Sequence, residues 1–338
     1  MRKSIFTLIN EYRLEIMGVA ALWVFAFHEW TDLIGNTGIV SDLAHFVSGA
    51  GFGGVDIFLF LSGMGLTHAI EKYPVKVFYK RRFARVLPPY VLTVVLAALF
   101  RQWEVGYFLK TIIGYHFWTQ NIYIVQWFGY MIIILYLVFP LYYYAFQKAR
   151  SPYVFTVAAL VVWYVAIAAF GGTIREDLRG FTDRIPIFLV GILCGWTARK
   201  REIVFSNATW LFALLILAVG FGSFYLGRYR GMQLPLKSEG FPTMFLIAIS
   251  GVCLLAQAFH LLAEYGGRLG CGIRKIAVFY GKMSFEFYCI QDLLGEKLQW
   301  RLLHIGHFAL GVILLVVMTA MAYGLYWLCK KISAFMVK

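Results

Sequence analysis

Residues 308–328 read FALGVILLVVMTAMAYGLYWL, 21 residues without one charged side chain. A hydrocarbon core of ~30 Å needs about 20 residues of helix at ~1.5 Å each, so this run can cross a bilayer. Working back from it, nine more apolar runs precede it, at 14–30, 46–67, 86–100, 124–146, 153–170, 185–198, 205–226, 241–262 and 276–294. Of the 338 residues 61% are hydrophobic and 14% charged, with a mean hydropathy of +0.73. A soluble domain keeps roughly a quarter of its residues charged, so this chain must face lipid. The expected fold class is all-α, a polytopic integral membrane protein of about ten transmembrane helices. Residues 1–338 are expected to form a single membrane domain, because no stretch between the runs is long enough for a second one. The longest, 101–123, is apolar enough to lie on the membrane. A charged flank precedes the first run and no small-residue cleavage site follows it, so it reads as a retained helix.

Charge sets the expected orientation. With the N-terminus inside, 21 of the 31 Lys and Arg fall on the inner side of the membrane and the remainder outside. The positive-inside rule favours this arrangement, with both termini cytoplasmic. Anionic inner-leaflet lipid then accounts for most of the net charge of +14, and nucleic-acid binding is not needed to explain it. The five cysteines (Cys194, Cys253, Cys271, Cys289, Cys329) are scattered without a Cys-x-x-Cys pair, which indicates neither a disulfide framework nor a metal site.

Ionisable residues inside spans are expensive to place and therefore point to function. His28 and Glu29 sit near the outer end of the first run, and Asp56 lies in the second, in Gly54-Val55-Asp56-Ile57-Phe58. The first run leads outward and the second returns, so His28 lies roughly 18–20 Å and Asp56 about 15 Å above the inner boundary. At those depths the two side chains can meet, and a carboxylate beside an imidazole orients it as a general base. The competing reading makes His28 an interfacial residue among Trp23, Phe27 and Trp30, and Asp56 a structural pairing partner. Both readings stay open on the residues alone.

The basic run Lys80-Arg81-Arg82-Phe83-Ala84-Arg85 follows Val75, Val77, Phe78 and Tyr79, and reads as an amphipathic helix at the inner surface. Arg82 and Arg85, three apart, share a helix face. Two guanidiniums so placed can chelate a phosphate, and equally can anchor a lipid headgroup. Gly49-Ala50-Gly51-Phe52-Gly53-Gly54 matches a dinucleotide fingerprint only formally, with no strand before it and a membrane helix after it.

These residues, taken in order, carry a family resemblance. Gly54-Val55-Asp56-Ile57-Phe58 through Ser62-Gly63, then Tyr79-Lys80-Arg81-Arg82-x-x-Arg85-Val86-x-Pro88, resembles the signature of the acyltransferase 3 family. Trp127-Phe128 with Leu135-Tyr136-Leu137-Val138-Phe139-Pro140, Asp183-Arg184-Ile185-Pro186-Ile187-Phe188, and Gly281-Lys282-Met283-Ser284-Phe285-Glu286-Phe287-Tyr288 agree in order. The resemblance implies a membrane-embedded O-acyltransferase in a bacterial inner or plasma membrane. It would move an acyl group, commonly acetyl, from cytoplasmic acetyl-CoA or another acyl-CoA to a hydroxyl of a surface or exported polysaccharide. The partners implied are that carbohydrate acceptor, the acyl-CoA donor and membrane lipid. The family's functional histidine maps onto His28 and its Arg-x-x-Arg pair onto Arg82 and Arg85. Two positions depart from the family pattern: Met17 stands where a basic residue is usual, with Arg13 one turn earlier, and Gln291 where a histidine is usual.

The expected mechanism places donor phosphates on Arg82 and Arg85, helped by Arg81 and Lys80. His28, oriented by Asp56 or Glu29, deprotonates the acceptor hydroxyl, and Arg184 or Arg13 contacts substrate. Two rival classes remain at this stage. A transporter of an anionic small molecule would add paired broken helices or repeats, which the sequence lacks. A relative that binds without turnover would fit Met17 and Gln291.

Overall fold

The computed structural model describes residues 3–30, 38–119, 127–232, 240–301 and 307–337, and among them there is no strand. In chain order the helices are α1 (Ile5–Glu11), α2 (Arg13–Phe25), α3 (Ile39–Gly49), α4 (Gly54–Lys72), α5 (Val75–Arg101), α6 (Val105–Ile112), α7 (Tyr115–Thr119) and α8 (Trp127–Lys148). They continue with α9 (Pro152–Phe170), α10 (Glu176–Thr182), α11 (Ile185–Thr197), α12 (Asn207–Arg230), α13 (Phe245–Tyr265), α14 (Gly267–Lys282), α15 (Ser284–Arg301) and α16 (His307–Val337). A π-helical turn, Ala26–Trp30, extends α2, and another, Gly240–Met244, leads into α13.

Seven stretches of the described residues are long and apolar enough to cross a membrane: Ile39–Lys72, Val75–Arg101, Trp127–Lys148, Pro152–Phe170, Asn207–Arg230, Gly240–Tyr265 and Ala309–Val337. The all-α membrane class is therefore as expected, and the described residues do not confirm the count of about ten. The three expected spans outside this set differ for separate reasons. The first is α2, 13 residues long, followed by a π-helical turn that carries His28 and Glu29. The sixth is α11, also 13 residues, about 20 Å of helix and mostly buried against its neighbours. The ninth is broken at Met283: its first part is the basic, amphipathic end of α14, and α15 begins afresh at Ser284. There the Met283 carbonyl accepts from the Phe287 N–H at 2.8 Å, and Glu286 in the first turn suits the positive end of the helix dipole.

The basic surface helix and the third span, expected as separate elements, are one helix, α5, of 27 residues. The Pro88-Pro89 pair does not end it. Pro88 has no N–H to give the carbonyl of Ala84, four residues back, and in an apolar setting that carbonyl needs another donor. The Ser333 hydroxyl of α16 donates to it. Thr93 Oγ1 donates to the Pro89 carbonyl at 2.6 Å.

Contacts group the chain into two compact units. Unit 1 comprises Met1–Val24, Ala50–Lys72 and Tyr142–Lys282. Its centre is the pairing of α4 with α11. A Cβ at Gly63 would stand 2.5 Å from the Phe188 carbonyl, and Gly191 and Gly195 meet Phe60 and Met64 backbone in the same way. Glycine here permits close approach, as small residues do at membrane helix interfaces. Asp56 meets Arg184 at the start of both helices, and Glu71 meets Arg199 at their ends, so α4 and α11 run parallel with an ion pair at each end. Helices α9 and α13 pack on this pair, α12 and α14 pack on α13, and α1 lies on α13. Ser151 and Ser206 cap α9 and α12 by accepting from the N–H groups of Val154 and Thr209.

Unit 2 comprises Phe25–Gly49, Tyr73–Leu141 and Met283–Lys338. Helices α5, α15 and α16 pack mutually, and the π-helical turn Ala26–Trp30 touches α3, α15 and α16. Phe78 stacks on Phe139, with centroids 5.7 Å apart, and the Tyr79 hydroxyl donates to the Leu137 carbonyl at 2.8 Å. The segment after α5 is helical in two short pieces, α6 and α7. Tyr90 holds it by donating to the Ile112 carbonyl at 2.8 Å.

The Ser333 contact is testable by a double-mutant cycle on thermal unfolding in detergent. Ser333→Ala is expected to cost about 1–2 kcal/mol by orphaning the Ala84 carbonyl. In a Pro88→Ala background, where residue 88 supplies its own N–H, the same change is expected to cost only a few tenths. Equal costs in both backgrounds would show that Ser333 does not serve the proline.

Candidate functional site

In unit 2 the chemistry-bearing residues converge on α15. The α-helix of α2 widens after Phe25 into the π-helical turn Ala26–Trp30, a local geometry that recurs at functional sites. His28 and Glu29 occupy that turn. The His28 side chain is accessible, with its ring edge-on to Phe27 at 4.8 Å between centroids. Glu29 is only 3% exposed, and its Oε2 has no hydrogen-bond partner among the described residues. A buried polar atom left without a partner is uncommon and needs a reason. The turn packs against α15, where Phe287 meets Phe25 with centroids 5.8 Å apart.

One residue before Phe287, Glu286 is fully buried and accepts from both terminal nitrogens of Arg85, the second at 3.0 Å. The bidentate pair fixes the Arg85 guanidinium on the α5–α15 seam while leaving the Arg85 side chain 45% exposed. The remaining cations of the basic run lie one turn away on α5. Arg82 is half-buried, its guanidinium 5.9 Å above the Phe78 ring, and Arg81 lies 4.6 Å above Tyr73. Lys80 is exposed. Arg82 and Arg85 thus share a helix face, as their spacing predicts, but Arg85 already carries a carboxylate. Gln291, also on α15, is buried.

Glu286 was not among the residues the sequence marked as candidates. A carboxylate in an apolar run was the available signal; the identity of its partner, 201 residues away, was not.

Unit 1 holds the other candidates. Asp56, 1% exposed, accepts from Arg184 Nε at 3.2 Å. Arg184 further donates to the Gly180 carbonyl at 2.6 Å and the Phe52 carbonyl at 3.4 Å, so a buried guanidinium and a buried carboxylate satisfy each other. Asp183 lies 3.9 Å from Arg179 beside them. Asp56, considered above as an orienting group for His28, is engaged by Arg184 and belongs to the other unit; Glu29 shares His28's turn. Arg13 lies against α4 where Gly65 has no side chain, its terminal nitrogens 3.0–3.1 Å from where a Cβ would stand. The segment 49–54 that mimics a dinucleotide fingerprint is a short 3₁₀ turn, Gly51–Gly53, entering α4. A Cβ on Gly54 would stand 2.7 Å from the Ala20 carbonyl, so this glycine serves close helix packing.

A family model described as an acyltransferase domain matches residues 16–329, nearly the whole chain. Neither curated proteins nor solved structures give a match.

The buried Asp56–Arg184 pair predicts that Asp56→Ala lowers stability by about 3–5 kcal/mol, because it strands a buried guanidinium. Asp56→Leu with Arg184→Met, which removes both charges, is expected to recover more than half of that loss. Thermal unfolding followed by tryptophan fluorescence in detergent reads both, and an unchanged midpoint for Asp56→Ala would dismiss the pair as a stabilising element.

Proposed function

Because the chain belongs to the acyltransferase 3 family, we propose that it is a membrane O-acyltransferase taking its acyl group from acyl-CoA, acetyl-CoA first among these. The acceptor is a hydroxyl of a surface or exported glycan. The observation that carries this reading is the pairing, in one π-helical turn, of an accessible imidazole with a buried carboxylate whose Oε2 has no partner among the described residues. His28 is the general base that removes the acceptor hydroxyl's proton, and Glu29 is the nearby group able to take or hold that proton. The hydroxyl oxygen attacks the thioester carbonyl, the C–S bond breaks, and coenzyme A leaves as the thiol after protonation.

The donor's phosphates lie on Arg82, Arg81 and Lys80. Arg85, held by Glu286, positions this basic face on the helix that also packs against the His28 turn through α15. Charge-assisted bonds from guanidiniums suit a multiply charged phosphate ligand. Arg184 has a structural role in this reading, since Asp56 and two carbonyls already engage it. With both termini cytoplasmic, as the charge bias favours, Lys80–Arg85 faces the compartment that holds acyl-CoA. The protein belongs in the bacterial plasma membrane in this account.

The test is transfer of radiolabel from [¹⁴C]acetyl-CoA into the carbohydrate fraction of membranes that contain the full-length chain. His28→Ala is expected to lower the rate about 10²–10⁴-fold, the usual worth of a positioned base, at unchanged protein level. Arg82→Ala is expected to raise the apparent KM for acetyl-CoA with a smaller change in kcat. Labelling that survives His28→Ala at the wild-type rate would remove His28 from the chemistry.

A further inference from the structure

A second basic site lies in unit 1, away from the run on α5. Helix α14 crosses the start of α2 at backbone distance: Gly18 packs on Ala277 and Gly281 on Leu14 with no room for a side chain. Beside this crossing is a cavity of about 370 Å³. It is lined by Glu15 of α2 and by Cys271, Arg274, Lys275, Phe279 and Lys282 of α14. Positions 271, 275, 278, 279 and 282 recur at helical spacing, so one stripe of α14 forms the wall. The volume falls within the range usual for small-ligand sites, about 300–1,000 Å³.

The charges in the wall do not balance. Glu15 supplies the carboxylate, and it is 5% exposed and committed to Arg274, with Nε at 3.3 Å and Nη2 at 3.0 Å from its Oε1. Arg274 is also fixed from above by Tyr12, whose ring centroid lies 5.1 Å from the guanidinium carbon. Glu15 takes two of its five N–H donors, so a fork held in place keeps donors in reserve. Lys275 has no ion pair among the described residues, and Lys282 adds a third cation. A pre-set guanidinium and the Lys275 ammonium thus stand in a wall whose single carboxylate is already engaged.

We propose that this cavity is a binding site for a phosphate group, with Arg274 as the oriented donor and Lys275 and Lys282 as the neutralising charges. A phosphate ester carries the acceptor oxygens and the charge that this wall lacks. The group arrives either on a soluble nucleotide or on an anionic phospholipid whose headgroup reaches the crossing of α2 and α14. The site stands apart from the acyl-transfer reading and does not depend on it.

Cys271 makes the site readable. It is exposed and lines the cavity, whereas Cys194 and Cys253 are partly covered and Cys289 and Cys329 are buried. The experiment follows alkylation of Cys271 by an uncharged maleimide in the purified full-length protein, quantified by peptide mass spectrometry. One arm uses neutral detergent with inorganic pyrophosphate or adenosine 3′,5′-bisphosphate. The other compares nanodiscs of phosphatidylcholine alone with nanodiscs containing phosphatidylglycerol.

At a probe concentration about ten times its Kd, alkylation is expected to slow roughly tenfold. Protection in detergent by either soluble probe assigns the site to a soluble phosphate ester. Protection confined to phosphatidylglycerol nanodiscs assigns it to a headgroup. Lys275→Gln with Lys282→Gln is expected to abolish protection while leaving the unprotected rate and the gel-filtration profile unchanged. Absence of protection in both arms, or protection that persists in the double variant, overturns the proposal. No turnover enters the readout, so its failure and the failure of the acyltransferase reading are separate results.

Discussion

An ionised side chain inside an apolar helical bundle is tolerable only when its counter-charge is built in beside it, because removing charge from water costs several kcal/mol per ion. The described structure is arranged around that requirement. Asp56 with Arg184 is the buried pair at one end of the parallel α4–α11 pair, Glu71 with Arg199 closes its exposed other end, and the glycines between them bring the backbones together. Glu15 with Arg274 does the same where α2 meets α14, and Glu286 with Arg85 where α15 meets α5. Each pair joins segments far apart in sequence and thereby sets which helices are neighbours. Apolar packing alone discriminates poorly here, since lipid tails are as apolar as leucine.

Much of this could be read before the fold was known, and the misses have physical causes. Long apolar runs without internal charge were located well: 205–226 became Asn207–Arg230 and 308–328 lies within Ala309–Val337. Runs interrupted by polar groups were located badly, as in α14 and α15, where hydropathy averaged the end of an amphipathic helix and the start of a second, separate helix into one span. The basic stretch and the run 86–100 were expected as separate elements but form one helix, and the hydrogen bond that Pro88 costs it is made good by Ser333, 249 residues from Ala84. The candidate site divides in the same way. Residue types and motif order placed His28, Asp56, Arg82, Arg85 and Arg184 among the residues of interest. Which carboxylate meets which guanidinium is a tertiary fact, and local spacing carries no trace of it.

Four of the five points where the chain passes from one unit to the other share a property. The first passage, after Val24, falls where α2 gives way to the π-helical turn, and the third, after Lys72, falls at a helix end followed by Pro74. The passage after Leu141 follows Pro140 inside α8, and the one after Lys282 coincides with the break at Met283. An uninterrupted α-helix carries its packing face forward in one register. A wider turn or a missing N–H resets that register and lets the continuing helix present its apolar face to new neighbours.

The first of these irregularities is also where the charge rule is broken. Asp56, Glu71, Glu15 and Glu286 each have a guanidinium within reach, whereas Glu29 is as buried as Glu15 and keeps an oxygen without a partner among the described residues. The π-helical turn holds an accessible imidazole and a buried carboxylate at successive positions. A buried carboxylate oxygen without a partner among the described residues works against stability. Local departures of this kind concentrate where a protein carries out chemistry, since a group already satisfied by its own fold has nothing to offer a substrate. Asp56 and Arg184 differ from Glu29 in this respect, since each satisfies the other within unit 1.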